Sequence, residues 1–291
     1  MEPARLSRRA FLGASGGVAL AAAGLLSNRA GAIVPAQPRN AYGGLVLSTD
    51  LYASESPQRF AFALAKGRDY ASGPPVVLAY GPQVGKNKVE LGEPTRATLH
   101  RRGLPKGRGI YTADVVTPAA GVYAAVLRVK GKQVPLAFQV NEQSSVPVVG
   151  AAAPRVASPT TANPLDVKPI CTRSPKCPLH DRSLDTMIGA GRPVVVMFAT
   201  PARCQSQYCG PVLDDLLSFR EKYTDAVDFV HVEIYQNNRT TDTISTVQAW
   251  GLPGEPWVFG VDGAGNVVAR LDGAFGTDEQ EELVQELVGP A

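Results

Sequence analysis

A change of pattern near residue 150 constrains this chain more than any other feature. Before it, residues 45–47, 60–64, 76–80, 98–100, 111–115, 122–129 and 134–140 form short β-rich runs divided by Gly/Pro turns. After it, apolar strand-like runs alternate with helical periodicity. Seven short runs with turn signals predict an all-β sandwich; alternation predicts an α/β domain. Between them, residues 146–164 are rich in Ala, Pro, Ser and Thr and lack either periodicity, which predicts a semi-extended linker. A chain of 291 residues exceeds the usual single-domain size. The expected layout is therefore a β-sandwich over 33–146, a flexible linker over 147–163 and an α/β domain over 164–291.

The second half can be read element by element. Ser183 is placed to cap a short helix from Leu184, and residues 194–198 read as a buried strand. Residues 211–223 read as an amphipathic helix with Val212, Leu213, Leu216 and Leu217 on one side, and Pro211 suits its first turn. A strand over 229–234, a helix over 240–250 and a hairpin of 256–261 with 267–271 around Asp262-Gly263-Ala264-Gly265 follow. Thr277 with Gln280 forms a capping-box pattern for the last helix.

The order β-α-β-α-β-β-α resembles thioredoxin. Gly254-Glu255-Pro256-Trp257-Val258-Phe259 is similar to the Gly-x-Pro-x-x-Phe segment of thioredoxin-like disulfide reductases. In that family the proline is cis and faces the reactive cysteines, and Pro256 matches it; an X-Pro bond makes a buried cis peptide accessible. Cys204 and Cys209-Gly210-Pro211 lie where thioredoxins carry Cys-Gly-Pro-Cys, between the first central strand and its helix. The resemblance implies thiol/disulfide exchange with a protein client or redox partner.

The pair departs from the family in spacing, C-x4-C. Five residues along a regular helix turn by about 140° from the start, so the two sulfurs can meet only if the segment before Pro211 is a loop. Cys209 beside a helix N-terminus gains from free amides and the dipole, while Arg203 supplies positive charge next to Cys204. Counting from the strand favours Cys204 as nucleophile and the Cys-Gly-Pro match favours Cys209, so either remains open. Glu255 is a second departure, because an acidic group near the sulfurs raises their pKa and slows attack. The alternatives are a non-catalytic binding module with structural disulfides and a peroxiredoxin. For the latter, Thr200-Pro201 ahead of the pair resembles the bacterioferritin-comigratory type, but the threonine is one residue too far away and Glu255-Pro256 stands where an arginine is needed.

All four cysteines fall between 171 and 209, which argues for local pairs. Cys171 and Cys177 bound a short turn-rich loop and are expected to form a structural disulfide. With His180 they also spell C-x5-C-x2-H, three potential zinc or copper ligands. No fourth ligand is evident, so no metal is assigned. His231 reads as a packed or surface residue within a strand, and His100 as a surface residue. With no haem, dinucleotide or iron-sulfur motif, no cofactor is expected.

Ser7-Arg8-Arg9-Ala10-Phe11-Leu12, an uncharged run to Leu26 and Ala30-Gly31-Ala32 resemble a twin-arginine export signal over 1–32, cleaved after Ala32. The apolar run is shorter than the ~20 residues that span a bilayer, so no transmembrane segment is expected after cleavage. The resemblance implies an extracytoplasmic protein: secreted, periplasmic or associated with the cell envelope. Gly121-Val122-Tyr123, with Val126, Val129 and a Gly131-Lys132 turn, resembles the last hairpin of an immunoglobulin-like domain such as extracytoplasmic spacers and adaptors carry.

Residues 33–146 hold fourteen Lys/Arg against seven Asp/Glu, a net of +7, and residues 147–291 hold eleven against eighteen, a net of −7. The basic half suits an anionic cell-envelope surface as readily as ordinary solvation. Nucleic acid is not an expected partner, since no binding motif accompanies the basic residues.

Overall fold

In the computed structural model, residues 42–66, 69–85, 88–203 and 208–288 are described. Residues 1–32, read from sequence as an export signal, lie outside them, as does Cys204. The chain divides into two units.

The first unit takes in Leu51–Leu99, Gly109–Gln143 and the first strand. Its strands are β1 (Tyr42–Val46), β2 (Ser54–Lys66), β3 (Asp69–Ala71), β4 (Val76–Gly85), β5 (Lys88–Val89), β6 (Thr95–Arg96), β7 (Thr98–His100), β8 (Ile110–Thr117), β9 (Gly121–Val129) and β10 (Lys132–Val140). One sheet has the order β1-β2-β8-β7 with β3 on β2; the other has β10-β9-β4-β5 with β6 on β4. Six of the seven expected runs lie within a strand, and the first, 45–47, runs one residue past β1.

The alternation Phe60-Ala61-Phe62-Ala63-Leu64 in β2 sends its large side chains to one face. There they share a core with Tyr111 of β8, Leu78 of β4, Tyr123 and Leu127 of β9 and Phe138 of β10. The rings of Phe60 and Phe138 are 4.6 Å apart, so the two sheets meet on a common aromatic core. Lys132 pairs with Val129, which puts the β9–β10 turn at Lys130-Gly131, one residue earlier than expected. Both turn residues have positive φ, 48° and 75°, as a two-residue hairpin of matching twist requires.

The second unit gathers Ser48–Asp50, His100–Arg108 and the chain from Ser144 onward. It contains α1 (Leu184–Met187), β11 (Val194–Phe198), α2 (Cys209–Phe219), β12 (Asp228–Val232), α3 (Ser245–Ala249), β13 (Trp257–Val261), β14 (Val267–Asp272) and α4 (Thr277–Val288). The sheet order is β12-β11-β13-β14. β11 and β12 are parallel, and β13 runs antiparallel to both its neighbours. β11 is the apolar run Val-Val-Val-Met-Phe, buried throughout, as befits a central strand.

Several local expectations are corrected. The segment over 146–164 is extended but is not a free linker. Val146 and Ala153 belong to the second unit's core, and Ala153 N–H bonds to Gly265 carbonyl at 2.9 Å. Its apolar positions find partners that a solvent-facing linker lacks. The helix expected over 240–250 shrinks to α3, because Asn237 Oδ1 accepts the N–H groups of Arg239 and Thr240 and holds a turn there. At α1 the capping hydroxyl is that of Ser158, which accepts Leu184 N–H at 3.0 Å; the Ser183 hydroxyl instead accepts Ser158 N–H. The reciprocal carboxylate of the last helix comes from Glu279, which accepts Gly276 N–H, not from Gln280. His100 is buried, with Nδ1 2.7 Å from the Asp278 carboxylate, rather than on the surface.

Candidate active site and an adjoining cysteine–histidine cluster

β11 ends at Phe198, and residues 199–203 lead from it toward Cys204. Several polar groups of this short stretch are held. Thr200 N–H donates to the Glu255 carboxylate at 2.6 Å, and the Thr200 hydroxyl accepts Ile234 N–H at 3.0 Å. Ala202 N–H reaches the Thr172 hydroxyl at 3.2 Å. The Arg203 guanidinium donates to the carbonyls of Asn237 and Thr240 and stacks over the Tyr235 ring at 4.9 Å. Arg203 is thus fixed at the base of the loop, its charge shared with two carbonyl dipoles.

Cys209 is the first residue of α2, fully buried and disulfide-bonded. Its partner sulfur is not among the described residues. Tyr208 caps the helix, its carbonyl accepting Val212 N–H at 2.9 Å, and Pro211 falls in the first turn as expected. At the same end of the central pairing, where Phe198 lies opposite Trp257, Glu255–Pro256 is a cis peptide immediately before β13, as the family resemblance implies, and Pro256 is buried.

Glu255 is half-buried, and desolvation pushes its carboxyl up to about 7 despite the Thr200 N–H bond; the neighbouring Glu233 carboxylate adds to the rise. Glu233, at the end of β12, is pushed up to about 7 by burial as well. It accepts Thr172 N–H at 2.6 Å and the Thr172 hydroxyl at 3.0 Å. Tyr235, pushed up to about 12 by burial and then by Glu255, keeps its phenol proton at any ordinary pH.

The expected Cys171–Cys177 disulfide is not formed. Both are free thiols with Sγ atoms 3.8 Å apart, against about 2.05 Å for a bonded pair. Two histidines lie beside them. His180 Nε2 approaches Cys177 Sγ at 3.2 Å, and His231 Nδ1 lies 3.3 Å from Cys177 Sγ and 3.9 Å from Cys171 Sγ. The two ring nitrogens are 3.2 Å apart. His231, read from sequence as packed or on the surface, is the fourth member of this group, and all four side chains are buried.

Three elements build the cluster. β12 presents His231 and Glu233 on the face opposite Val230 and Val232, which enter the core. His231 N–H bonds to Leu179 carbonyl at 3.0 Å, tying His180 alongside. The cysteine loop is fastened by Thr172 to Glu233 and by Arg173 Nε to Asp214 of α2 at 2.6 Å. Hydrogen bonding from Cys177 drives the Cys171 thiol far down, and the same bond with burial drives Cys177 up.

Sequence reasoning missed His231, Glu233 and Thr172. The available signal was a histidine and a glutamate two apart in an otherwise apolar strand, which places two polar groups on one buried face.

Residues 180–287 match the family model for the thioredoxin-like domain. The protein thus carries a C-terminal thioredoxin-like domain. No curated protein matches the chain. Among solved structures, it is similar to a Chlorobium tepidum protein described as a thiol:disulfide interchange protein DsbE, at 17% identity and TM-score 0.36 over 49% of this chain and 99% of that one. It is also similar to the superoxide reductase (neelaredoxin) of Ignicoccus hospitalis, at 8% identity and TM-score 0.23, over 34% of this chain and 78% of that one. A conjugative transposon lipoprotein of Bacteroides eggerthii matches at 14% identity and TM-score 0.21, over 34% and 96%. Among the described residues, no helix is long and apolar enough to cross a membrane.

Proposed function

We propose that the protein is an extracytoplasmic thiol/disulfide oxidoreductase acting through Cys204 and Cys209 on protein clients. One observation carries this reading: a disulfide-bonded cysteine is the first residue of the helix that follows the central strand. That position gives a departing thiolate free backbone amides and the positive end of the helix dipole. The cis Glu255–Pro256 peptide and the family match over 180–287 support it.

The burial of Cys209 divides the labour. A client cannot reach a fully covered sulfur, so Cys204 is the sulfur attacked, and Cys209 is the one that leaves or resolves. In the oxidising direction a client thiolate attacks Cys204, forming a mixed disulfide and releasing Cys209 as a thiolate. A second client thiol then displaces Cys204, so two electrons and two protons pass from the client to the domain. The reducing direction is the reverse.

Arg203 and Pro211 are positioning residues in this scheme, and Glu255 moderates it. Export is assigned to the twin-arginine pattern over 1–32, and the first unit is read as an immunoglobulin-like spacer or adaptor. The non-catalytic alternative draws on one observation, the Glu255 carboxyl beside the loop, which disfavours a thiolate nearby.

Cys209→Ser should trap a mixed disulfide with oxidised insulin, its Cys204 thiolate attacking an insulin disulfide and releasing the other insulin sulfur as a thiol, and Cys204→Ser should trap none. A wild type without exchange activity would leave the binding-module reading in its place, and exchange that survives both substitutions would overturn the assignment to these cysteines.

A further inference from the structure

We propose that Cys171, Cys177, His180 and His231 bind one zinc ion in a closed tetrahedral site. The geometry carries this. With Zn–S near 2.3 Å and Zn–N near 2.05 Å, a tetrahedral Cys2His2 site separates its sulfurs by about 3.8 Å, sulfur from nitrogen by about 3.5 Å and its nitrogens by about 3.3 Å. The observed separations are 3.8 Å between sulfurs, 3.2, 3.3 and 3.9 Å for three of the four sulfur–nitrogen pairs, and 3.2 Å between nitrogens, with all four ligand atoms within 4.8 Å of one another.

The tautomer of His231 agrees. Its Nε2 lies 2.9 Å from the Ala199 carbonyl, which can only accept, so Nε2 carries the proton and Nδ1 presents a lone pair to the cluster. This is the outer hydrogen bond that orients a metal-bound histidine.

Burial and charge select the metal. The four residues are 3%, 6%, 2% and 0% exposed, leaving no open coordination position for a substrate. On binding, Zn²⁺ displaces one proton from each thiol, and two thiolates with two neutral imidazoles make the centre neutral. Copper(I) with the same ligands leaves a net charge of −1, which burial penalises. The ion would join the 171–180 loop to β12 and, through Ala199, to the segment 199–203 that precedes Cys204. It would also keep this thiol pair out of exchange with clients. The site does not depend on the exchange reading.

The test is elemental analysis of the full chain, produced with zinc in the medium and purified without a metal-affinity step. The wild type and Cys204→Ser should each hold one zinc per chain, and Cys177→Ser and His231→Ala should lose at least about tenfold in content. Should those variants fail to fold, the wild type alone decides. Cobalt(II) exchange should give the ligand-field spectrum of a tetrahedral Cys2His2 centre, and Cys171 and Cys177 should resist alkylation until a chelator is added. A wild type without zinc, one that retains copper instead, or a non-reduced peptide map linking Cys171 to Cys177 overturns the proposal. So does zinc content that survives both substitutions.

Discussion

The two units differ most in what they bury. In the first, Thr117 alone among the described polar and charged side chains is buried. Its interior is Phe60, Phe62, Tyr111, Tyr123 and Phe138 with aliphatic neighbours. In the second, His180, His231, Glu233, Thr200, Asp215 and others lie inside. Burying an ionisable group costs free energy that a shape-filling apolar residue does not. A unit that retains several such groups around one loop concentrates its chemistry there, whereas the first unit is built for shape and surface.

The largest effect that would sharpen this contrast is on activity. Cys204→Ser and Cys209→Ser should each abolish exchange, measured as insulin reduction, while leaving circular dichroism of the β-rich unit unchanged. Persistence of exchange in either would break the assignment of chemistry to the second unit. Next comes stability of the first unit. Phe60→Ala should cost about 3–5 kcal/mol by removing a ring from a fully buried aromatic core, read by denaturant unfolding followed through tyrosine fluorescence, with the exchange rate per folded molecule unaffected. A loss under about 1 kcal/mol would mean that the shared core is not what holds the two sheets together.

A smaller effect is expected at Glu255. Its folded pKa, raised to about 7 from 4.5, means that the fold favours the protonated carboxyl. The stability it contributes is complete below about pH 4.5 and is lost as pH rises through about 7. Glu255→Gln should remove that slope, worth about 1–3 kcal/mol between pH 5 and 8. The same substitution should lower the attacking thiol's pKa and raise the exchange rate near neutrality by a few-fold. Unchanged pH profiles of both stability and rate would show that Glu255 is not coupled to the site. The smallest effect belongs to the β9–β10 turn, where Gly131→Ala should cost about 1 kcal/mol because its φ of 75° disfavours any side chain.

The legible parts of the sequence were those where one local pattern decides one local structure. The continuous run Val194–Phe198 could only be a buried central strand, and Gly254-Glu255-Pro256 marked the cis peptide that the structure contains. The illegible parts depend on contacts far along the chain. His231 sits between Val230 and Val232, so its place on the opposite face of the strand was set, but the cysteines 54 and 60 residues earlier that meet it could not be placed. The 146–164 segment has the composition of a spacer, and its burial follows from Gly265, Val267 and Thr246, whose backbone and hydroxyl groups meet it. The helix over 240–250 failed because Asn237 forms a competing turn, a choice that its side-chain hydrogen bonds decide.

The most direct measurement of the central claim is a redox titration of the full chain against dithiothreitol or glutathione, followed by quantitative alkylation of Cys204 and Cys209. A two-electron equilibrium more oxidising than about −300 mV, absent from both serine variants, is the predicted result. A bond between these cysteines that resists reduction below that potential would mark it as a structural link and contradict the assignment.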